Sequence, residues 1–376
     1  MRVSFSLRAP ATLSLAGSLT LAACSGTTTP FDPVALSQNA DAVMNTMDSS
    51  QAMQSMSVLG PKMTTGAPAM GAASFLPAAA TSLPMTSQGF PAWAAVQLAA
   101  FQRALPSFSV AAPNAVIIPA LVLGKTFTYN VGSNSYGLSD ATGAPATGVR
   151  FILYAINPIS HTVATPLNPV GCADVTDEST SIASLKLHLK AYITGNGCTA
   201  LNTPLIDYTA GATLTGLPPN AVTGATVTVS GFLSDGTRQL DFDLTQTYSS
   251  TTGISVDYNL SLPAADVSVE FQASYTLAGQ ATVTLTVKNA GNTTVATATG
   301  TQAAITGNIT HDGDVVVNIT GSASSPTFTS ASGAALTDAQ ITALRHLFSF
   351  TDVLLIRVDE MLGPADALLG LSFVLA

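Results

Sequence analysis

Between residues 225 and 321, apolar and polar residues alternate in one segment after another with no helical period between them. Val227/Val229, Leu240/Phe242/Leu244, Ile254/Val256/Tyr258/Leu260/Leu262, Val267/Val269/Phe271/Ala273/Tyr275, Val283/Leu285/Val287, Ile305/Ile309 and Val315/Val317/Ile319 each read as one side of a strand. Turn residues separate them: Asp235-Gly236, Thr252-Gly253, Pro263, Ala278-Gly279, Ala290-Gly291-Asn292 and Asp312-Gly313. Strands joined by turns this short pair antiparallel, as a meander. About eight strands at about 4.8 Å spacing make a sheet nearly 40 Å wide. Phe127/Tyr129/Val131 and Leu185/Leu187/Leu189/Ile193 repeat the pattern upstream, bringing the expected total to ten to twelve. A sheet of that width must curl, close or split.

One face of it is Val, Ile, Leu, Phe and Tyr, and something must cover that face. Helical spacing appears at both ends of the chain. Residues 31–57 start near Pro33 with Leu36, Ala40, Val43 and Met47 on one stripe, and 91–104 carry Trp93, Val96 and Phe101. Residues 60–88 hold no sustained period. Thr337-Asp338-Ala339-Gln340 reads as a capping box opening a helix with Ile341, Leu344, Phe348, Leu355 and Val358, interrupted near 349–351. Residues 367–376 read as a further packing segment or a last strand. Methionines 44, 47, 53, 56, 63 and 70 suit either a ligand groove or a helix–sheet core, and core filling is the simpler reading. The expected fold is β-rich α+β: a large curved antiparallel meander, half-barrel-like, with N- and C-terminal helices on its apolar face. A transmembrane barrel shares the alternation, but aromatics at 6% form no girdles and the helices would be surplus.

The N-terminus carries Arg2 and Arg8 and no acid, followed by an apolar run over 9–23 that is too short to span a bilayer. It ends in Leu21-Ala22-Ala23-Cys24. This stretch resembles a bacterial lipoprotein signal peptide. The resemblance implies that Cys24 is the lipid-bearing first residue of the mature chain, and that Ser25, which is not an acid, leaves the protein free to reach the outer membrane. The competing reading is an ordinary cleaved signal. The polar segment Ser25-Gly26-Thr27-Thr28-Thr29-Pro30 suits a tether, and acyl chains contribute roughly 0.8 kcal/mol per buried methylene. The chain thus divides into a signal (1–23), a lipidated tether (24–33), a helical and irregular region (34–124), a sheet domain (125–335) and a C-terminal helical segment (336–376).

Three cysteines are an odd number for an exported chain. With Cys24 lipidated, Cys172 and Cys198 remain as a disulfide pair, worth roughly 3.5 kcal/mol on the chain-entropy argument, or else as two buried thiols. Losing Arg2 and Arg8 with the signal takes the net charge from −9 to −11. An acidic chain without a Lys/Arg cluster has no electrostatic basis for binding nucleic acid. Charged residues are only 9% of the chain, so Ser, Thr, Asn and Gln must supply the polar surface.

Catalytic patterns are missing. His161, His188, His311 and His346 form no paired metal spacing, and neither a Gly-x-Ser-x-Gly elbow nor a phosphate loop occurs. His311-Asp312-Gly313-Asp314 reads as a hairpin turn rather than a metal site. Asp174, Asp177 and Glu178 read as a solvated acidic loop, and Asp241 and Asp243 as outward charges on a strand. No catalytic residue, metal or cofactor is expected. The architecture resembles the open half-barrel of periplasmic lipoprotein carriers and their outer-membrane receptors, which hold acyl chains between sheet and helices; no motif is shared residue by residue. The mature chain also resembles envelope lipoproteins of low charge, which supply no activity to carry over. Two functions follow as expectations: a non-enzymatic envelope lipoprotein with a structural or contact role, or a binding protein for hydrophobic ligands held between sheet and helices.

Overall fold

The computed structural model describes residues 30–64, 89–104, 118, 120–181, 184–194, 198, 203–216 and 222–374. Within these residues fifteen strands form one sheet that is curved and does not close. They are β1 (Lys125–Asn130), β2 (Ser135–Ser139), β3 (Gly148–Tyr154), β4 (Pro169–Asp177), β5 (Ser184–Ile193), β6 (Ile206–Thr215), β7 (Gly224–Ser234) and β8 (Gln239–Ser249). The remainder are β9 (Gly253–Leu262), β10 (Val267–Thr276), β11 (Ala281–Asn289), β12 (Asn292–Gly300), β13 (Ile305–His311), β14 (Asp314–Ser322) and β15 (Ser325–Ser330). From β3 to β15 every neighbour in sequence is the antiparallel neighbour in space. The expected curved meander is therefore the observed one, with more strands than the alternation revealed.

One pairing departs from the expectation. β1 runs parallel to β3 through Lys125↔Val149 and Phe127↔Phe151, because β2 folds back on the far side of β1 and the chain crosses over to return.

The period of two sends each strand's residues to opposite faces. On the concave side Leu214, Ala225, Tyr248, Ile254, Tyr275 and Ala281 align across six strands. On the convex side one cross-strand row consists entirely of hydroxyls: Ser184, Thr213, Thr226, Thr247, Ser255, Ser274, Thr282, Thr299, Thr306, Thr320 and Thr327. These groups bond to water without charge, which is how a chain with few ionised residues covers so wide a surface.

Among the described residues, four helices lie on the concave side: α1 (Pro33–Ser49), α2 (Gln51–Thr64), α3 (Gly89–Ala104) and α4 (Asp338–Val374). Pro33 takes the first position of α1 and the Asp32 carboxylate accepts from the amides of Val34 and Ala35 at 2.9 and 3.3 Å. The expected stripe Leu36, Ala40, Val43 and Met47 is buried. The single helix expected over 31–57 is two. Ser50 is extended (φ −71°, ψ 111°), and its hydroxyl donates to the Ser234 carbonyl at 3.0 Å while accepting from the Met53 amide at 3.3 Å. A contact with the β7 end thus breaks one helix and caps the next.

Met44, Met47, Met53 and Met56 are all buried, filling the helix–sheet core. Thr337 and Gln340 form the expected capping box, with the Gln340 amide donating to the Thr337 hydroxyl at 3.3 Å and the Thr337 amide donating to Gln340 Oε1 at 2.9 Å. α4 continues without interruption through 349–351, since the Ser349 and Thr351 hydroxyls donate to the carbonyls of His346 and Phe348 in their own helix. The end expected to be a separate segment also belongs to α4, up to Val374. No described helix is long and apolar enough to cross a membrane. Cys24, the signal and residues 65–88 lie outside the described residues.

Candidate functional site

The helices cover the sheet unevenly. α2 packs on β2, β3 and β5, α1 reaches β7, β8, β9 and β11, and α3 reaches β9, β10 and β11. α4 lies across α1, α2 and α3 and extends to β15. Over the β11–β15 end the described helical cover thins, and a cleft of about 450 Å³ opens there between the start of α3, the middle of α4 and the sheet.

The sequence makes this cleft by omission. Where inward positions of β8–β10 carry Tyr248, Ile254 and Tyr275, the same row continues as Ala281, Gly300 and Ile305. Ala281, Ala298 and Gly300 give a low floor, and Phe90, Pro91, Val283 and Phe348 give apolar walls. A Cβ on Gly300 would meet the Ala304 carbonyl oxygen at 2.1 Å, so the strand has no room for a side chain there. An apolar void of about 30 Å³ beside it shares Val283, Ala298, Phe348 and Thr351 with the cleft. The volume falls in the roughly 300–1,000 Å³ range of small-molecule sites.

Two ionisable side chains line this apolar space. Arg345 is exposed and Asp352 half-buried, both on α4. Burial pushes the Asp352 carboxyl up to about 6. Neither side chain has an ion pair or hydrogen bond within the described protein.

The other polar constellations are occupied structurally. Asp174 is not in a solvated loop. It lies in β4 and accepts a bidentate pair from Arg150 of β3, at 2.6 and 2.7 Å, with both side chains largely buried. Asp177 accepts from the amides of Ile118 and Ser179 at 3.3 and 2.9 Å. Glu178 pairs with Lys186 at 2.9 Å and with His188 at 3.2 Å, and the Lys186 contact holds its carboxyl below the ordinary range. His188 also meets Asp207 at 2.6 Å. Sequence reasoning missed this network because its members become neighbours only through the β4–β5–β6 register, as at Asp174↔Lys190 and Lys190↔Asp207.

A Ser–His–Asp alignment also occurs. The Ser37 hydroxyl of α1 lies 2.8 Å from His346 Nδ1 of α4, and His346 Nε2 lies 3.6 Å from Asp41. Ser37 is buried between two helices whose amides are committed to their own turns, so the spot supplies no donors for an oxyanion. The alignment bolts α4 to α1. Asp312-Gly313 forms the expected hairpin turn, with φ of 50° and 95°. Among the described residues, no group of three or more His, Cys, Asp or Glu is placed to hold a metal ion. Asp241 and Asp243 face outward on β8, as expected, in a shallow furrow with Asn259, Glu270 and Lys288. Cys172 and Cys198 form a disulfide that ties a position five residues beyond the end of β5 to the middle of β4.

The fold and cleft together define a class: an open, almost wholly antiparallel sheet, filled on its concave side by helices, with an apolar opening among the described residues at its C-terminal end. Comparison with protein families, curated proteins and solved structures gives no match.

Proposed function

We propose that this chain is a non-catalytic protein of the cell envelope, moored through lipid on Cys24, which holds a small apolar molecule in the cleft at the β11–β15 end of its sheet. One observation carries the binding role: the apolar floor of Ala281, Ala298 and Gly300, over which the cover of the described helices thins. Larger residues fill the same row under β8–β10, whereas the small floor here leaves a concave apolar space of the kind that ligand sites occupy. The mooring rests on the Leu21-Ala22-Ala23-Cys24 stretch and the polar segment after it. The acidic balance leaves nucleic acid out of the proposed partners.

Intact mass spectrometry of natively purified protein tests the binding role. A co-purifying molecule that organic extraction releases is the expected result; a bare protein that takes up no hydrophobic dye overturns it. Growth with a labelled fatty acid tests the mooring. Wild type takes up the label and Cys24→Ala loses it, whereas an unlabelled wild type removes the anchor.

A second reading, a structural or contact role in the envelope, has its own support in the eleven-strand row of hydroxyls on the convex face. The two roles use opposite faces of the sheet.

A further inference from the structure

We propose that the cleft receives the head of a zwitterionic amphiphile, with the ammonium on the Asp352 carboxylate and the anionic group on the Arg345 guanidinium. This rests on the reading of the cleft as a ligand site and names the chemistry of its occupant. Asp352 and Arg345 line the same apolar opening, and neither is neutralised by another described residue. They sit seven residues apart on one helix, two turns or roughly 10 Å along its axis, too far to neutralise each other by direct contact. A half-buried carboxylate without a counter-charge is costly, and an ammonium seated on it removes that cost.

The pair also excludes the simpler heads. An anionic head drawn to Arg345 alone would bring a like charge toward Asp352. A cationic head drawn to Asp352 alone would do the same to Arg345. A head with both charges avoids both repulsions, and the apolar floor takes its chain.

The chain holds a built-in reporter. Trp93, its only tryptophan, packs with a ring-centroid distance of 5.7 Å against Phe90, which lines the cleft. Four amphiphiles with one lauroyl or dodecyl chain are titrated below their aggregation concentrations, by Trp93 fluorescence and calorimetry. They are lysophosphatidylethanolamine, lysophosphatidylglycerol, dodecylammonium and monolauroylglycerol. The zwitterion is expected to bind about tenfold more tightly than the other three. Asp352→Asn loses that advantage and admits lysophosphatidylglycerol; Arg345→Gln admits dodecylammonium; monolauroylglycerol binds all three proteins alike. Arg345 is exposed, so its variant keeps the test alive should Asp352→Asn not fold. Equal binding of all four heads, unchanged in both variants, overturns the head selection and leaves the cleft reading standing. Binding of none overturns both.

Discussion

An asparagine at position 352 would occupy nearly the same volume as the aspartate and would carry no charge into a half-buried site. The aspartate's cost can be followed with pH. Its folded carboxyl titrates near 6, whereas an unfolded aspartate titrates near 3.9. Below about pH 3 both states are protonated and almost no penalty exists. As pH rises, the unfolded chain ionises first, and stability falls until the folded carboxyl has also lost its proton, above pH 6. Asp352→Asn is therefore expected to raise stability at pH 7 by about 1–2 kcal/mol and at pH 4 by no more than about 0.5 kcal/mol. Urea denaturation of both proteins at the two pH values checks this; a constant difference between them would show that charge is not the cause. A variant that gains stability while losing the zwitterion cannot owe the loss to misfolding. The same residue scale explains why Arg150 is tolerated inside the sheet: its planar fork meets both oxygens of Asp174, which sits directly opposite in register.

At the scale of elements, the turns tune how firmly the meander is held. Ala290-Gly291 joins β11 to β12 with φ of 47° and 83°, so a residue with a Cβ occupies a left-handed position. Asparagine visits that region at lower cost than alanine. Ala290→Asn should stabilise the protein by about 0.5–1 kcal/mol, read as a higher urea midpoint at an unchanged slope. Which strands were legible in the sequence follows from their side chains. β8, β9 and β10 alternate large apolar residues with polar ones, and their period is plain. β12 is Asn-Thr-Thr-Val-Ala-Thr-Ala-Thr-Gly, and β6 is similarly rich in Ala, Gly and Thr, so their alternation carries little contrast. β3 is buried at every position and shows no alternation. The cleft was hidden for the same reason as β12: its floor is made of Ala298 and Gly300, residues that leave no hydrophobic signal. The break at Ser50 was hidden because its cause, the Ser234 carbonyl, is 184 residues away.

Across the whole molecule, the sheet is a ladder in which most strands touch only their sequence neighbours, and the helices supply the links that span several of them. The Tyr208 hydroxyl of β6 donates to the Met361 carbonyl of α4 at 2.8 Å, and Arg357 of α4 meets Asp48 of α1 at 2.7 Å. A ladder of this kind is exposed to local opening where such links are sparse. The disulfide adds a covalent link toward the other end of the ladder, fixing the chain after β5 to Cys172, whose backbone pairs with Ile152 on one side and Tyr192 on the other. With a sequence separation of 26, the closed loop removes enough freedom from the unfolded chain to contribute roughly 3.5 kcal/mol. Replacing Cys172 and Cys198 by serine is expected to lower unfolding stability by about 2–4 kcal/mol, and a reductant should produce a similar loss in wild type while leaving the double variant unaffected. If the variant matches oxidised wild type, the bridge adds nothing and the fold owes its hold on β4 to the Arg150–Asp174 pair and the strand register alone. If the loss appears as predicted, protein made in a reducing compartment should be the less stable form, with amide exchange rising first in β4 and β5 rather than in the β8–β10 centre of the sheet.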